Sequence, residues 1–200
     1  RLGLPFGAKP SGPDDYIFGD AEADAFGCFM AVMAELRDRY IKSLDHSESG
    51  VLAVVKRMHD LLKDVDEELW EHLEQNGVDP RFYSFRWLTL LMSQEFELPD
   101  VLRLWDSFFA DKERFEYQLY FSCAMLVHLR KELLTYDFAD ILRVLQSYPY
   151  TDIQVLLTIA TDLRVSHKTG KRSRFVDVTF SKTLENLKSS FSNFWKRGNK

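Results

Sequence analysis

FRWLTLLMSQEFELPDVLRLWDSFF, residues 85–109, decides the fold. Apolar residues recur at three- and four-residue steps on both sides of Leu98-Pro99, the pattern of two helices each burying one face. Proline is tolerated in the first turn of a helix, so Pro99 opens the second of them. The spacing predicts one helix over about Phe82–Gln94 and another from Pro99 onward, joined by a tight turn that Glu95 and Arg103 flank. Trp87 and Trp105 are placed to pack together across it, each burying a large apolar area. Asp106 is placed to accept from Arg86 or from a helix N-terminus.

Working outward, the same periodicity continues. Upstream, Phe26, Phe29, Met30, Met33, Leu36 and Tyr40 make one apolar face, and Val51 to Leu73 reads as a single longer helix ended by Gly77 and Pro80. Downstream, Glu113 to Leu134 reads as a fifth helix. Its centre, YQLYFSCAMLVHL, is apolar on nearly every side, which predicts a helix that others surround. Shorter helices follow at about 138–147 and 151–164, with Thr151 and Asp152 available to cap the second. No heptad is sustained, so the fold class is all-α, an orthogonal bundle of six to eight helices.

The ends differ from this body. Residues 1–20 carry four Gly and three Pro and read as a flexible lead-in; residues 21–164 form the helical domain. Residues 165–180 read as a basic linker, in which FVDVTF is an extended connector, and residues 181–197 as an amphipathic helix with a Leu184, Leu187, Phe191, Phe194 and Trp195 stripe. The net charge of −5 is unevenly spread: residues 164–200 hold ten Lys or Arg against Asp177 and Glu185. The tail therefore either docks on an apolar groove of the body or lies on an anionic membrane surface.

Several function classes are excluded by what the chain lacks. It has no glycine loop followed by Lys-Ser/Thr, no CxxC and no HExxH. No metal or other cofactor and no nucleic acid is expected. Cys28 and Cys123 lie in apolar surroundings and are expected to be buried free thiols. His59 and His72 are too far apart on their helix to share a metal, and Asp66, Glu67 and Glu68 read as a solvated face.

The segment 85–109 resembles the most recognisable stretch of the C-terminal lobe of TBC-domain Rab GTPase-activating proteins. The matching positions are Arg86-Trp87 after an aromatic, Glu95, Leu98-Pro99, and Arg103-x-Trp105-Asp106. CAMLVHLRKELL, PYTDI and the opening AEADAFGCFMAVMAELRDRYIKSL extend the similarity over about residues 21–164. The resemblance implies the C-terminal half of a TBC-type fold and a Rab-family GTPase as partner. It also implies a mechanism in which an arginine and a glutamine enter the GTPase site in trans. Those fingers belong to Ile-x-x-Asp-x-x-Arg and Tyr-x-Gln motifs in the family's N-terminal part. Here Ile159 to Arg164 brings the arginine one residue early, and Tyr117-Gln118 lacks the spacer. No catalytic residue is carried over.

The expectation is therefore a part of a Rab GTPase-activating protein that supplies scaffold and Rab-facing surface but is no enzyme alone. The start at Arg1 and the match at mid-domain favour a piece of a longer activator over a natural half-domain that binds without catalysing. Arg86, Trp87, Glu95, Pro99, Arg103, Trp105 and Asp106 are expected to serve mainly as a structural staple, with a direct GTPase contact from Arg81, Arg86 or Arg103 as the other role. Alternatives are a non-catalytic helical interaction module and a peripheral membrane adaptor. The expected location is cytoplasmic, peripheral on endomembranes.

Overall fold

A computed structural model describes residues 21–44, 50–113 and 115–176. Among these the only regular secondary structure is helical, as the periodicity required. Nine α-helices are present: α1 (Ala21–Leu36), α2 (Val51–Val65), α3 (Glu67–Gln75), α4 (Arg81–Thr89), α5 (Leu98–Ala110), α6 (Glu116–His128), α7 (Arg130–Leu133), α8 (Phe138–Gln146) and α9 (Ile153–Thr169). Two 3-10 turns, Arg37–Tyr40 and Lys42–Leu44, follow α1.

Helix α6 is the axis of the body. Every residue from Tyr117 to Val127 is buried. Helix α9 lies against it most extensively, and α2 and α4 pack on its other sides. The polar groups of such a helix must find partners inside the protein. Ser122 Oγ donates to the Gln118 carbonyl at 2.9 Å, and Tyr117 Oη reaches the Leu157 carbonyl of α9 at 3.1 Å. Cys123 is buried in the same wall, and burial pushes its thiol up.

More helices form than periodicity alone suggests, because two long apolar runs are interrupted. The expected Val51–Leu73 helix breaks at Asp66, whose φ of −150° and ψ of 79° leave the helical region. Asp66 is not on a solvated face. Its side chain is 0% exposed, caps α3 by accepting from Leu69 N at 3.2 Å, and takes Arg130 Nε at 2.7 Å. Arg130 also binds Glu68. The break turns α3 back beside α2. The expected Glu113–Leu134 helix likewise divides at Leu129 into α6 and α7.

Other boundaries shift for local reasons. Helix α4 stops at Thr89 rather than near Gln94, because Leu91 and Met92 take φ values of 49° and 64°. Two consecutive left-handed residues without glycine are costly, on the order of 1–2 kcal/mol each. Burial of Met92 and a Met92 N to Trp87 carbonyl bond of 3.1 Å hold them. Asp152 caps α9 by accepting from Gln154 N at 2.8 Å. The helix then runs past residue 164 to Thr169, into the segment expected as linker, and ends at Gly170 with a φ of 64°. Phe175 and Val176 close back into the core. The lead-in 1–20, most of FVDVTF and the tail helix 181–197 lie outside the described residues.

The expected apolar face of the first helix is largely uncovered. Of its residues only Leu36 is buried; Phe26, Phe29 and Met30 are exposed, and so is Cys28, contrary to expectation. The cause is that α1 joins the body only through its C-terminal end, where Leu36 and Val32 pack with Leu91, Phe115 and Trp105.

Asp66→Ala removes a helix cap and takes from the buried Arg130 its buried partner, leaving it the exposed Glu68. Breaking a buried pair from one side costs about 3–5 kcal/mol. Urea unfolding is expected to show a loss of that size with an unchanged denaturant slope.

Candidate functional site

The helix–turn–helix of residues 81–110 is held by a fork that the sequence only hinted at. Arg86 on α4 donates through Nε and Nη2 to the two Glu95 oxygens at 2.6 and 2.8 Å. Nη2 also reaches the Gln146 carbonyl of α8 at 2.9 Å. The Glu95 side chain is 2% exposed and Arg86 44%, so the pair closes the turn with the carboxylate inside. Glu95 hydrogen bonding holds the Arg86 guanidinium above its usual value. Arg86 is thus occupied by Glu95 and not by Asp106, which is exposed on α5.

The two tryptophans separate. Trp87 is fully buried and meets the rings of Tyr83 and Tyr148 at 5.1 and 6.3 Å. Trp105 is half-buried, stacks edge-on to Phe109, and donates Nε1–H to the Leu91 carbonyl at 2.8 Å. Its bond lands on the left-handed turn, so it secures that turn instead of packing on Trp87. Pro99 is exposed at the first turn of α5. Arg103 is exposed and donates to Ser107 Oγ at 2.7 Å, away from Glu95. Arg81 is taken by Asp79, through bonds of 2.9 and 2.8 Å from its Nε.

A second set of residues escaped the sequence reading. Gln118 on α6 is buried; its Nε2 donates to the carbonyls of Trp87 and Leu88 at 3.1 and 3.3 Å. Its Oε1 accepts from Arg39 Nη1 at 2.8 Å, and Arg39 also bonds the Leu88 carbonyl at 3.3 Å. Burial pushes the Arg39 guanidinium down to about 10. Tyr40 donates to the Thr89 carbonyl. The last carbonyls of α4, left open by its early end, are thus satisfied by α6 and by the turn after α1. A lone glutamine in a buried apolar run was the available signal, since such a group demands partners.

Between α1 and this turn lies a groove of about 570 Å³, lined by Phe29, Val32, Met33, Leu90, Trp105 and Phe109 among others. Its walls are almost entirely apolar. No group of His, Cys, Asp and Glu able to hold a metal occurs among the described residues, and none of their helices is long and apolar enough to cross a membrane. The arrangement can bind a surface; it brings together no nucleophile, base and orienting group. Arg164 is engaged by Asp111 and Glu113, with Nη2 at 3.1 Å from Asp111 and 2.9 Å from Glu113.

The body is all-helical and centred on a buried helix, with an Arg–Glu fork closing a Leu-Pro turn. The profile of the Rab-GTPase-TBC domain matches residues 16–134. TBC1 domain family member 13 of Mus musculus is 50% identical over 146 residues, covering 73% of this chain and 36% of that protein. The GTPase-activating protein gyp1 of Schizosaccharomyces pombe is 35% identical over 154 residues, covering 74% and 29%. The crystal structure of the Ypt/Rab-GAP domain of Gyp1p superposes with a TM-score of 0.66 at 25% identity, covering 80% of this chain and 49% of that one. The chain belongs to the Rab-GTPase-TBC domain family. It spans about a third of the length of these two curated relatives.

Two measurements test the bonded framework. Arg86→Met leaves the Glu95 carboxylate inside without its fork and is expected to cost about 1–3 kcal/mol. Arg86→Met combined with Glu95→Met is expected to cost less than Arg86→Met alone, so that Glu95→Met stabilises in that background, which thermal unfolding reads directly. For Arg164→Gln the test is pH. Burial raises the Asp111 carboxyl, but the Arg164 bond and charge outweigh this and hold it below its model-compound value of 3.8. A depressed carboxylate stabilises above its unfolded pKa and loses that contribution as pH falls through the folded one. The variant's deficit, on the order of 1 kcal/mol, is expected at pH 7 and should fade as the pH drops below 3.8.

Proposed function

We propose that this chain is part of a Rab GTPase-activating protein, supplying the scaffold and a Rab-facing surface without the arginine and glutamine fingers. Family membership makes a Rab-type GTPase the partner class. The observation that carries the missing-finger part is the fate of the two nearest motif matches. Gln118 is buried with its amide bonded on both ends, and Arg164 is tied to Asp111 and Glu113. Gln118 cannot extend into a partner's nucleotide site without opening the core, and Arg164 would first have to leave both of its carboxylates. Of the two exposed arginines of the family string, Arg86 is held by Glu95, and Arg103 on α5, bonded only within its own helix to Ser107, is the residue best placed for direct contact. An anionic membrane surface is the second partner we propose, through residues 165–197. The location we propose with it is cytoplasmic, peripheral on endomembranes. Lys168 and Arg174 contribute less there, since they pair with Glu113 and Asp162.

A finger arginine supplied in trans is worth about 10³–10⁵ in rate. Single-turnover hydrolysis with a panel of GTP-loaded Rabs, free and on anionic vesicles, tests the proposal. Binding without stimulation by the chain alone is expected. A hundredfold stimulation would show a finger among these 200 residues.

A further inference from the structure

Beyond α9 the chain forms a short strap, residues 171–176, that belongs to no helix. Gly170 stops α9 in the left-handed region, and Lys171 N returns to the Ser166 carbonyl at 2.9 Å. Asp162 on α9 then holds the strap down. Its Oδ2 accepts from Ser173 Oγ at 2.6 Å, and its Oδ1 takes Arg174 Nε at 2.8 Å. Ser173 Oγ in turn accepts from Phe175 N at 3.2 Å, and the Ser173 carbonyl accepts from Val176 N at 3.2 Å. These bonds carry Phe175 and Val176 into the core. One hydroxyl, on a residue only 3% exposed, therefore sits at the centre of the latch.

The sequence around that hydroxyl has a second character. In KTGKRSRF, residues 168–175, Lys171 and Arg172 precede Ser173 and Arg174 follows it. Lys171 and Arg172 are both exposed. Two cations just before a serine, on non-helical backbone, complement the acidic substrate cleft of a basic-directed protein kinase. The hydroxyls of Thr158, Thr161 and Thr169 differ. Each bonds a carbonyl one turn back inside α9, so bringing one in line with a phosphoryl donor means unwinding the helix. Freeing Ser173 means parting the Asp162 latch and withdrawing Phe175 and Val176. Short segments at the edge of a body open locally in this way at free energies well below global unfolding.

We propose that Ser173 is a phosphorylation site for a basic-directed kinase, and that the modification locks the strap open. In the transfer the terminal phosphorus of ATP bonds to Ser173 Oγ, its bond to the bridging oxygen breaks, and ADP leaves. The hydroxyl proton passes to the kinase's base. The product carries about two negative charges at neutral pH. It cannot return to its place. The site is buried and has no room for three more oxygens, and the Asp162 carboxylate faces it as a like charge. Phe175 and Val176 then stay out of the core, and Arg174 leaves Asp162 with them. Ser173 thus sets whether the segment following α9 is held on the body, whichever GTPase the body meets.

The test incubates the whole chain with magnesium, ATP and, in turn, each of a panel of basic-directed kinases. Peptide mass spectrometry is expected to find phosphate on Ser173. Lys171→Ala with Arg172→Ala is expected to lower the rate of incorporation about tenfold, because the recognition is electrostatic. Asp162→Asn weakens the latch and is expected to raise that rate about threefold. Brief chymotrypsin digestion reads the strap, since cutting after the buried Phe175 requires it to open. The phosphorylated chain and Ser173→Glu are expected to be cut there about tenfold faster than the unmodified chain, with the helical circular dichroism signal retained. No phosphate on Ser173 with any of the kinases overturns the site. Incorporation indifferent to Lys171→Ala with Arg172→Ala overturns the kinase class. Phosphate on Ser173 with an unchanged rate of cutting after Phe175 overturns the switch.

Discussion

Helix α6 has almost no solvent side, and the rest of the body is arranged to allow that. Burying every residue from Tyr117 to Val127 removes a large apolar area from water. It also brings Gln118 and Ser122 into a place where unpaired polar groups are costly. Ser122 solves this within its own helix by bonding the carbonyl one turn back. Gln118 cannot, and its amide reaches across to the end of α4 and to Arg39. Thus one buried amide ties the central helix, the helix–turn–helix and the turn after α1 into a single unit.

That unit explains the family string in physical terms. Helix α4 has to end early so that the chain can reverse into α5, and it ends in two left-handed residues with side chains. Such a turn survives only if its surroundings over-determine it. Trp105 donates to the Leu91 carbonyl, Arg86 and Glu95 close the other side, and Trp87 fills the core beneath. The Arg-Trp, Glu and Arg-x-Trp-Asp positions are therefore mostly a brace. Arg103 and Asp106 are exposed members that the brace does not use, whereas Arg86, also exposed, is held by Glu95.

The brace also separates the two apolar populations of the protein. Beneath it, side chains from α2, α4, α6 and α9 share one core. Above it, Leu36, Leu91 and Phe115 make a small satellite cluster, and the apolar face of α1 stands out from that cluster. A helix joined to its body by one end contributes little to that body's stability. Its chemistry suits association.

Periodicity by itself determined the all-helical class, the central position of α6 and the Leu-Pro turn, because a 3.6-residue apolar repeat and a proline in a first turn act locally. The motif at residues 85–109 was equally plain, since its residues stand close together in the chain. Tertiary structure alone decided what those residues touch. Arg86 found Glu95 rather than Asp106, and Trp105 found the Leu91 carbonyl rather than Trp87, because the left-handed turn sets the angle between α4 and α5. Asp66 read as one acid among several on a solvated face. It became a buried cap because Arg130, 64 residues away, folds onto it. The face of α1 shows the same limit from the other side. Spacing predicts an apolar stripe, but whether that stripe is covered depends on which bodies lie beside it, and a helical repeat carries no information about its neighbours.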